Sequence, residues 1–171
     1  MVTIPDRTRK LLRLSAFFLI FCNVDIMAAG DAGKAAYKKA NCIGCHKWHG
    51  DGGGGYGGLA LSLRKTALSR ADLEMLIRCG RPGTRMPYHD RKAYRGDDRS
   101  CYESSKEELG DSMPPRAPSF LRDREITAVV DYVVENIQGK GPPDHADCVA
   151  FWGENARRCN SLKKQQSKQA N

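Results

Sequence analysis

Residues 42–46 read Cys42-Ile43-Gly44-Cys45-His46, and the reading of these five decides the fold. Two thiols separated by two residues and followed at once by an imidazole suit three kinds of chemistry. A zinc site needs a second cysteine or histidine pair at similar spacing, and the chain has none. A thioredoxin-like pair needs a preceding strand and a βαβ frame, a pattern this sequence lacks. In the third, the two thiols add across the two vinyl groups of a porphyrin and the adjacent histidine lies under its iron, which is the attachment pattern for a c-type haem. Cys42 and Cys45 are therefore expected to bind haem c covalently, with His46 as the proximal iron ligand. There is no second CxxCH and no internal repeat, so one haem is expected.

Downstream of the motif lies a glycine run, Gly52-Gly53-Gly54-Gly55-Tyr56-Gly57-Gly58, suited to close backbone approach to the porphyrin. The second ring nitrogen of His46 needs an acceptor to fix the imidazole, and a carbonyl near Tyr56 or Gly57 is expected to supply it. Ser69-Arg70-Ala71-Asp72 opens a helix in the manner of a capping box, and Gly80 closes it. Leu73, Leu76 and Ile77 form its inner face, and Met75 reads as a core residue of the same helix. Ile126, Val129, Val130, Val133, Val134 and Ile137 recur at helical spacing and give a final helix one apolar face. Gly139, Gly141, Pro142 and Pro143 end it. No alternating run suggests a strand. The expected fold is all-α, with helices wrapped around one apolar cofactor.

The chain of 171 residues is one domain in size, and 40% hydrophobic residues suffice for a core. No apolar stretch reaches the roughly 18 residues of a membrane-spanning helix. Arg7, Arg9, Lys10 and Arg13 precede a short apolar run at 14–21 (LSAFFLIF), and Met27-Ala28-Ala29-Gly30 supplies small residues. Basic, apolar, small is the order of a secretory leader. A leader at 1–29, cut near Ala28 or Ala29, places the mature chain in the periplasm, and Cys22 leaves with it. The leader takes four basic and two acidic residues off totals of 28 and 20, so the net charge falls from +8 to +6. That surplus favours acidic partners or an anionic surface. Nucleic acid is not an expected partner of an exported chain without a binding module.

Three stretches resemble the class I, single-haem c-type cytochromes over residues 30–138. They are AGDAGKAAYKKANCIGCH, CGRPGTRMPYHD and LRDREITAVVDYVVENI. The resemblance implies a short first helix on which Gly33 and Tyr37 share a face and meet the last helix. The step from Tyr37 to Cys42 is one residue longer than the commonest family spacing. The resemblance also implies a loop carrying the distal iron ligand, Met86 in GRPGTRMP, with Met113 of Ser112-Met113-Pro114-Pro115 as the alternative. His49 and His89 are rival ligands, more simply read as polar groups near the haem edge. Arg81, Arg85 and Trp48 are candidates for contacts to the propionates or the haem edge.

Cys79, Cys101, Cys148 and Cys159 remain, and four cysteines allow three pairings. Cys79–Cys101 and Cys148–Cys159 are the expected pairs. The first ties an insertion at 90–118 to the helix before the methionine loop, and the second closes a short loop within a C-terminal extension at 139–171. The insertion reads as a docking surface or a lid over one haem edge. The tail from residue 160 is polar enough to be expected disordered.

The implied role is a periplasmic electron carrier without bond-making chemistry of its own. It would carry one electron between a dehydrogenase and a terminal oxidase or another cytochrome. CHKWHG, RPGTRMPYHD and CVAFWG are also similar to cytochromes associated with quinoprotein alcohol dehydrogenases, which implies such an enzyme as the donor. Two rival roles stay open from sequence: a haem protein with a free sixth site acting as gas sensor or peroxidase-like catalyst, and a haem subunit fixed in a larger oxidoreductase complex.

Overall fold

A computed structural model describes residues 24–55 and 60–169. Its elements in chain order are α1 (Val24–Lys39), α2 (Cys42–His46), α3 (Arg70–Cys79), β1 (Tyr88–Asp90), α4 (Lys106–Leu109), β2 (Arg116–Leu121), α5 (Asp123–Asn136), α6 (His145–Trp152) and α7 (Asn160–Gln169). Short 3-10 turns lie at Gly110–Ser112 and Arg157–Cys159. The basic and apolar part of the proposed leader lies outside the described residues. The proposed cut at Ala28 or Ala29 falls within α1. No helix among the described residues is long and apolar enough to cross a membrane.

The core forms where α1 crosses α5. Ile126, Val129, Val130 and Val133 of α5 are buried, as their helical spacing requires, and Ile137 follows them inward. Ala36, Tyr37 and Ala40 come from the α1 side, and Leu73 and Ile77 from α3. The two helices touch at Gly33, where an added Cβ would collide with the Ala128 carbonyl and the Tyr132 Cβ. One turn later the Tyr37 ring lies 5.7 Å from that of Tyr132. The contact expected from the resemblance therefore forms despite the longer step to Cys42. Asn41, in the left-handed region at φ 57°, turns the chain from α1 into α2, a conformation asparagine tolerates better than most residues.

Helix α3 opens with both halves of the Ser69–Asp72 capping box and stops at Gly80. Met75 departs from expectation: it is 39% exposed, while Leu73 and Ile77, two residues to either side, point inward. A helix turns its residues about 100° each, so the position between two inner ones faces out. Its sulfur instead rests 3.4 Å from that of Cys79.

The fold is mainly helical but carries a small parallel sheet that the sequence reading did not find. β1 pairs with β2 through Tyr88 opposite Arg116 and Asp90 opposite Leu121, with an irregular register between them. Parallel strands need a crossover connection, and residues 91–115, most of the insertion, supply it. β1 is three residues long and β2 contains Pro118, so neither shows the alternation that marks a strand. The insertion packs a second small core of Cys79, Ala93, Tyr94 and Cys101, with Tyr88, Leu109 and Met113 against it. Cys79–Cys101 and Cys148–Cys159 are both joined as disulfides. The described part of the tail, Asn160–Gln169, is helical, not disordered. Its lysines, glutamines and Leu162 are good helix formers, and it grows from a turn anchored by Cys159.

Candidate functional site

The haem motif forms one short helix, α2. Cys42 and Cys45 sit at i and i+3, hence on one side of it, and both thiols are free, while the other four described cysteines are paired. Desolvation pushes the Cys42 thiol up to about 12, so it is a neutral thiol at pH 7. Cys42 and Ile43 pack against the main apolar cluster. The start of the glycine run lies back over the motif: Gly54 N–H donates to the Cys45 carbonyl at 2.9 Å and Gly55 N–H to the Gly44 carbonyl at 3.0 Å. The close approach expected of these glycines is thus made to the motif's own backbone.

His46 is half-buried, and desolvation holds its pKa below the ordinary imidazole value. Its Nδ1 lies 2.9 Å from the Leu61 carbonyl. A carbonyl can only accept, so Nδ1 carries the proton and Nε2 keeps its lone pair. The acceptor is the Leu61 carbonyl; Tyr56 and Gly57, near which the sequence reading places it, lie outside the described residues. Gly52 permits this geometry. It sits at φ 74°, and a Cβ there would strike the backbone of Ala60 and Leu61. The segment bearing Leu61 can therefore lie directly against the loop that follows the motif.

The two candidate methionines fall in different cores. Met86 is half-buried against the same cluster as Cys42 and Ile43, whereas Met113 packs against the Cys79 and Tyr94 cluster of the insertion. The Met86 loop is closed on itself. Arg81 N–H donates to the Met86 carbonyl at 3.1 Å, and Met86 N–H to Thr84 Oγ1 at 3.2 Å. The insertion braces this loop from behind. Tyr94 and Tyr102 hydroxyls donate to the Cys79 and Gly80 carbonyls at 2.8 and 2.6 Å, and Gly83 N–H donates to the Ser112 carbonyl at 2.8 Å. The segment expected as lid or docking surface thus also buttresses the end of α3 and the methionine loop.

The remaining candidates separate. His89 is buried in β1, with Nδ1 facing the Ser119 carbonyl at 3.3 Å. His49 pairs with Asp51, and its ring meets Trp48 edge-on at 5.0 Å. Trp48 packs into the main cluster against Phe151, and Arg81 and Arg85 are exposed. Sequence reasoning missed Arg64. It is 6% exposed and bonded to three separate parts of the chain. A single arginine in LSLRKTA carries no spacing signal that could have marked it.

Two thiols able to form thioethers, a neutral imidazole with one nitrogen anchored and the other free, and a thioether sulfur on the same core are a donor set that fits haem c. A family model described as cytochrome c matches residues 30–136. Neither the curated proteins nor the solved structures contain a significant match to the chain.

Proposed function

Because this chain belongs to the cytochrome c family over residues 30–136, a family whose members bind haem c covalently and transfer electrons, we propose that it is an exported carrier of single electrons. Cys42 and Cys45 would hold one haem covalently, and His46 and Met86 would bind its iron. The observation that carries this reading is the His46–Leu61 hydrogen bond beside two unpaired thiols: it commits Nδ1 and leaves Nε2 as a donor. Haem supplies an iron that takes up and returns one electron.

The protein's tasks are then binding, orientation and exclusion. Cys42 and Cys45 hold the group on α2. The Leu61 carbonyl fixes the His46 ring and raises the basicity of its donor nitrogen. Met86 gives a soft sulfur that favours the reduced state and raises the potential. Its position against the core on which Cys42 also packs, in a loop closed by Arg81 and Thr84, supports it over Met113. The family match begins at residue 30, where the proposed leader ends, which supports export to the periplasm. A net charge of +6 after that cut suits an acidic redox partner. A dehydrogenase, in particular a quinoprotein alcohol dehydrogenase, is the proposed donor, and an oxidase or second cytochrome the acceptor.

The test is an optical spectrum of the haem-loaded protein with and without carbon monoxide. The expected result is a low-spin spectrum with a sulfur-to-iron charge-transfer band, unmoved by carbon monoxide. That band should vanish in Met86→Ala and persist in Met113→Ala. A high-spin wild-type spectrum that shifts readily with carbon monoxide overturns the carrier reading and points to ligand sensing or catalysis at an open site.

A further inference from the structure

A buried guanidinium is costly unless its donors are matched, so the partners of Arg64 define its task. Nε donates to the His49 carbonyl at 2.6 Å, just beyond the haem motif. One terminal nitrogen donates to the Gly141 carbonyl, beyond α5. The other reaches Asp147 Oδ2 at 2.8 Å, in α6. The carbonyl of Arg64 accepts from Gly139 N–H at 3.0 Å.

Three residues earlier stands Leu61, whose carbonyl holds His46. Residues 60–64 therefore form a strap across the proximal side of the motif, pinned at both ends. At the Ala60 end, Gly53 N–H donates to the Ala60 carbonyl at 2.8 Å. In the middle, Leu63 N–H donates to the Gly50 carbonyl at 2.7 Å. At the Arg64 end, the His49 carbonyl holds Nε, and the rest of the grip comes from the C-terminal extension, which lies outside the family match. Cys148, next to Asp147, stiffens that grip through its disulfide to Cys159.

We propose that Arg64 is a positioning residue for His46, and that the C-terminal extension, acting through Asp147, sets the strength of the His46–Leu61 hydrogen bond and with it the reduction potential of the iron. The inference rests on His46 being the proximal ligand. A fully donated Nδ1–H makes Nε2 more basic, and a more basic donor favours the ferric state. A slack strap weakens the bond and moves the balance toward ferrous.

The experiment measures the midpoint potential of the haem-loaded full chain, together with the exchange rate of the His46 Nδ1 proton by NMR in the ferrous state. Arg64→Lys keeps the charge but loses the fork that reaches three acceptors. It should shift the ferric-to-ferrous ratio toward ferrous three- to tenfold at fixed applied potential, tenfold being 59 mV, and speed proton exchange at least tenfold. Asp147→Asn should act in the same direction, and the double variant should shift no further than Arg64→Lys alone, since Asp147 acts on the strap through Arg64. Should Arg64→Lys fail to fold, proton exchange in Asp147→Asn decides. A low-spin protein whose potential and Nδ1 exchange are unchanged, or a double variant whose shifts simply add, overturns the inference and leaves the haem assignment standing. A wild type in which His46 is not an iron ligand overturns the assignment instead.

Discussion

The Tyr37 hydroxyl donates to the Lys47 carbonyl at 2.8 Å while its ring lies against Tyr132 and Phe151. Burial pushes the phenol well above its ordinary pKa, so it remains a donor at any working pH. Tyr37→Phe keeps the ring and loses the bond, and should cost about 1 kcal/mol in denaturant unfolding with the haem spectrum unchanged. Glu125 gives a pH signature. Its carboxylate, bonded by Arg122 and then Lys39, is held down at about 2. A depressed folded-state value means the stabilisation is full above the ordinary carboxylate range and is lost as pH falls toward 2. Solvent screening limits it to about 1 kcal/mol, so Glu125→Gln should flatten the acid limb of the stability curve between about pH 5 and 2 by that amount. At this scale the motif residues were legible because thiol and imidazole spacing is chemistry written in order. The acceptor for His46 was not, because a carbonyl has no residue identity. Only the fold decides that Leu61 supplies it.

Helices α3 and α5 were legible to within a residue or two, since their caps and apolar faces are local properties of the chain. The strands were not. They exist because the insertion returns the chain beside Tyr88, a long-range event with no local period. The same reasoning explains why the insertion's bracing contacts went unseen: the disulfide to Cys79 was legible from the cysteine count, but the two tyrosine hydroxyls that tie it to the end of α3 carry no local signal. Replacing both Cys79 and Cys101 by serine releases a loop with a sequence separation of 22 and should cost about 3 kcal/mol. With Met86 on the iron as proposed, added imidazole should also displace it more easily. At the α1–α5 crossing, Gly33→Val drives a branched side chain into the Ala128 carbonyl. About 3 kcal/mol of destabilisation is expected by thermal melting, whereas a substitution at exposed Lys92 should change little.

Across the whole molecule, the excess of Lys and Arg over Asp and Glu bears on encounter rather than on fold. Electron exchange with an acidic redox protein should slow roughly tenfold between low and high salt as the Debye length shrinks from about 30 to 3 Å, and exchange with a basic one should not. Stopped-flow mixing at two ionic strengths reads this directly. The crossing of α1 and α5 also governs the order of assembly. Gly33 waits for Ala128, so a chain emerging from its N-terminus cannot close the core on which Cys42 and Ile43 pack until nearly the whole family domain has followed. Contacts this distant in sequence form late, which leaves Cys42 and Cys45 a period of open access before closure. A chain ending before Asp123 should stay in that open condition, with both thiols quickly alkylated, whereas one carrying α5 should protect Cys42. The first helix thus acts as a clock, and the interval it keeps is the time allowed for loading.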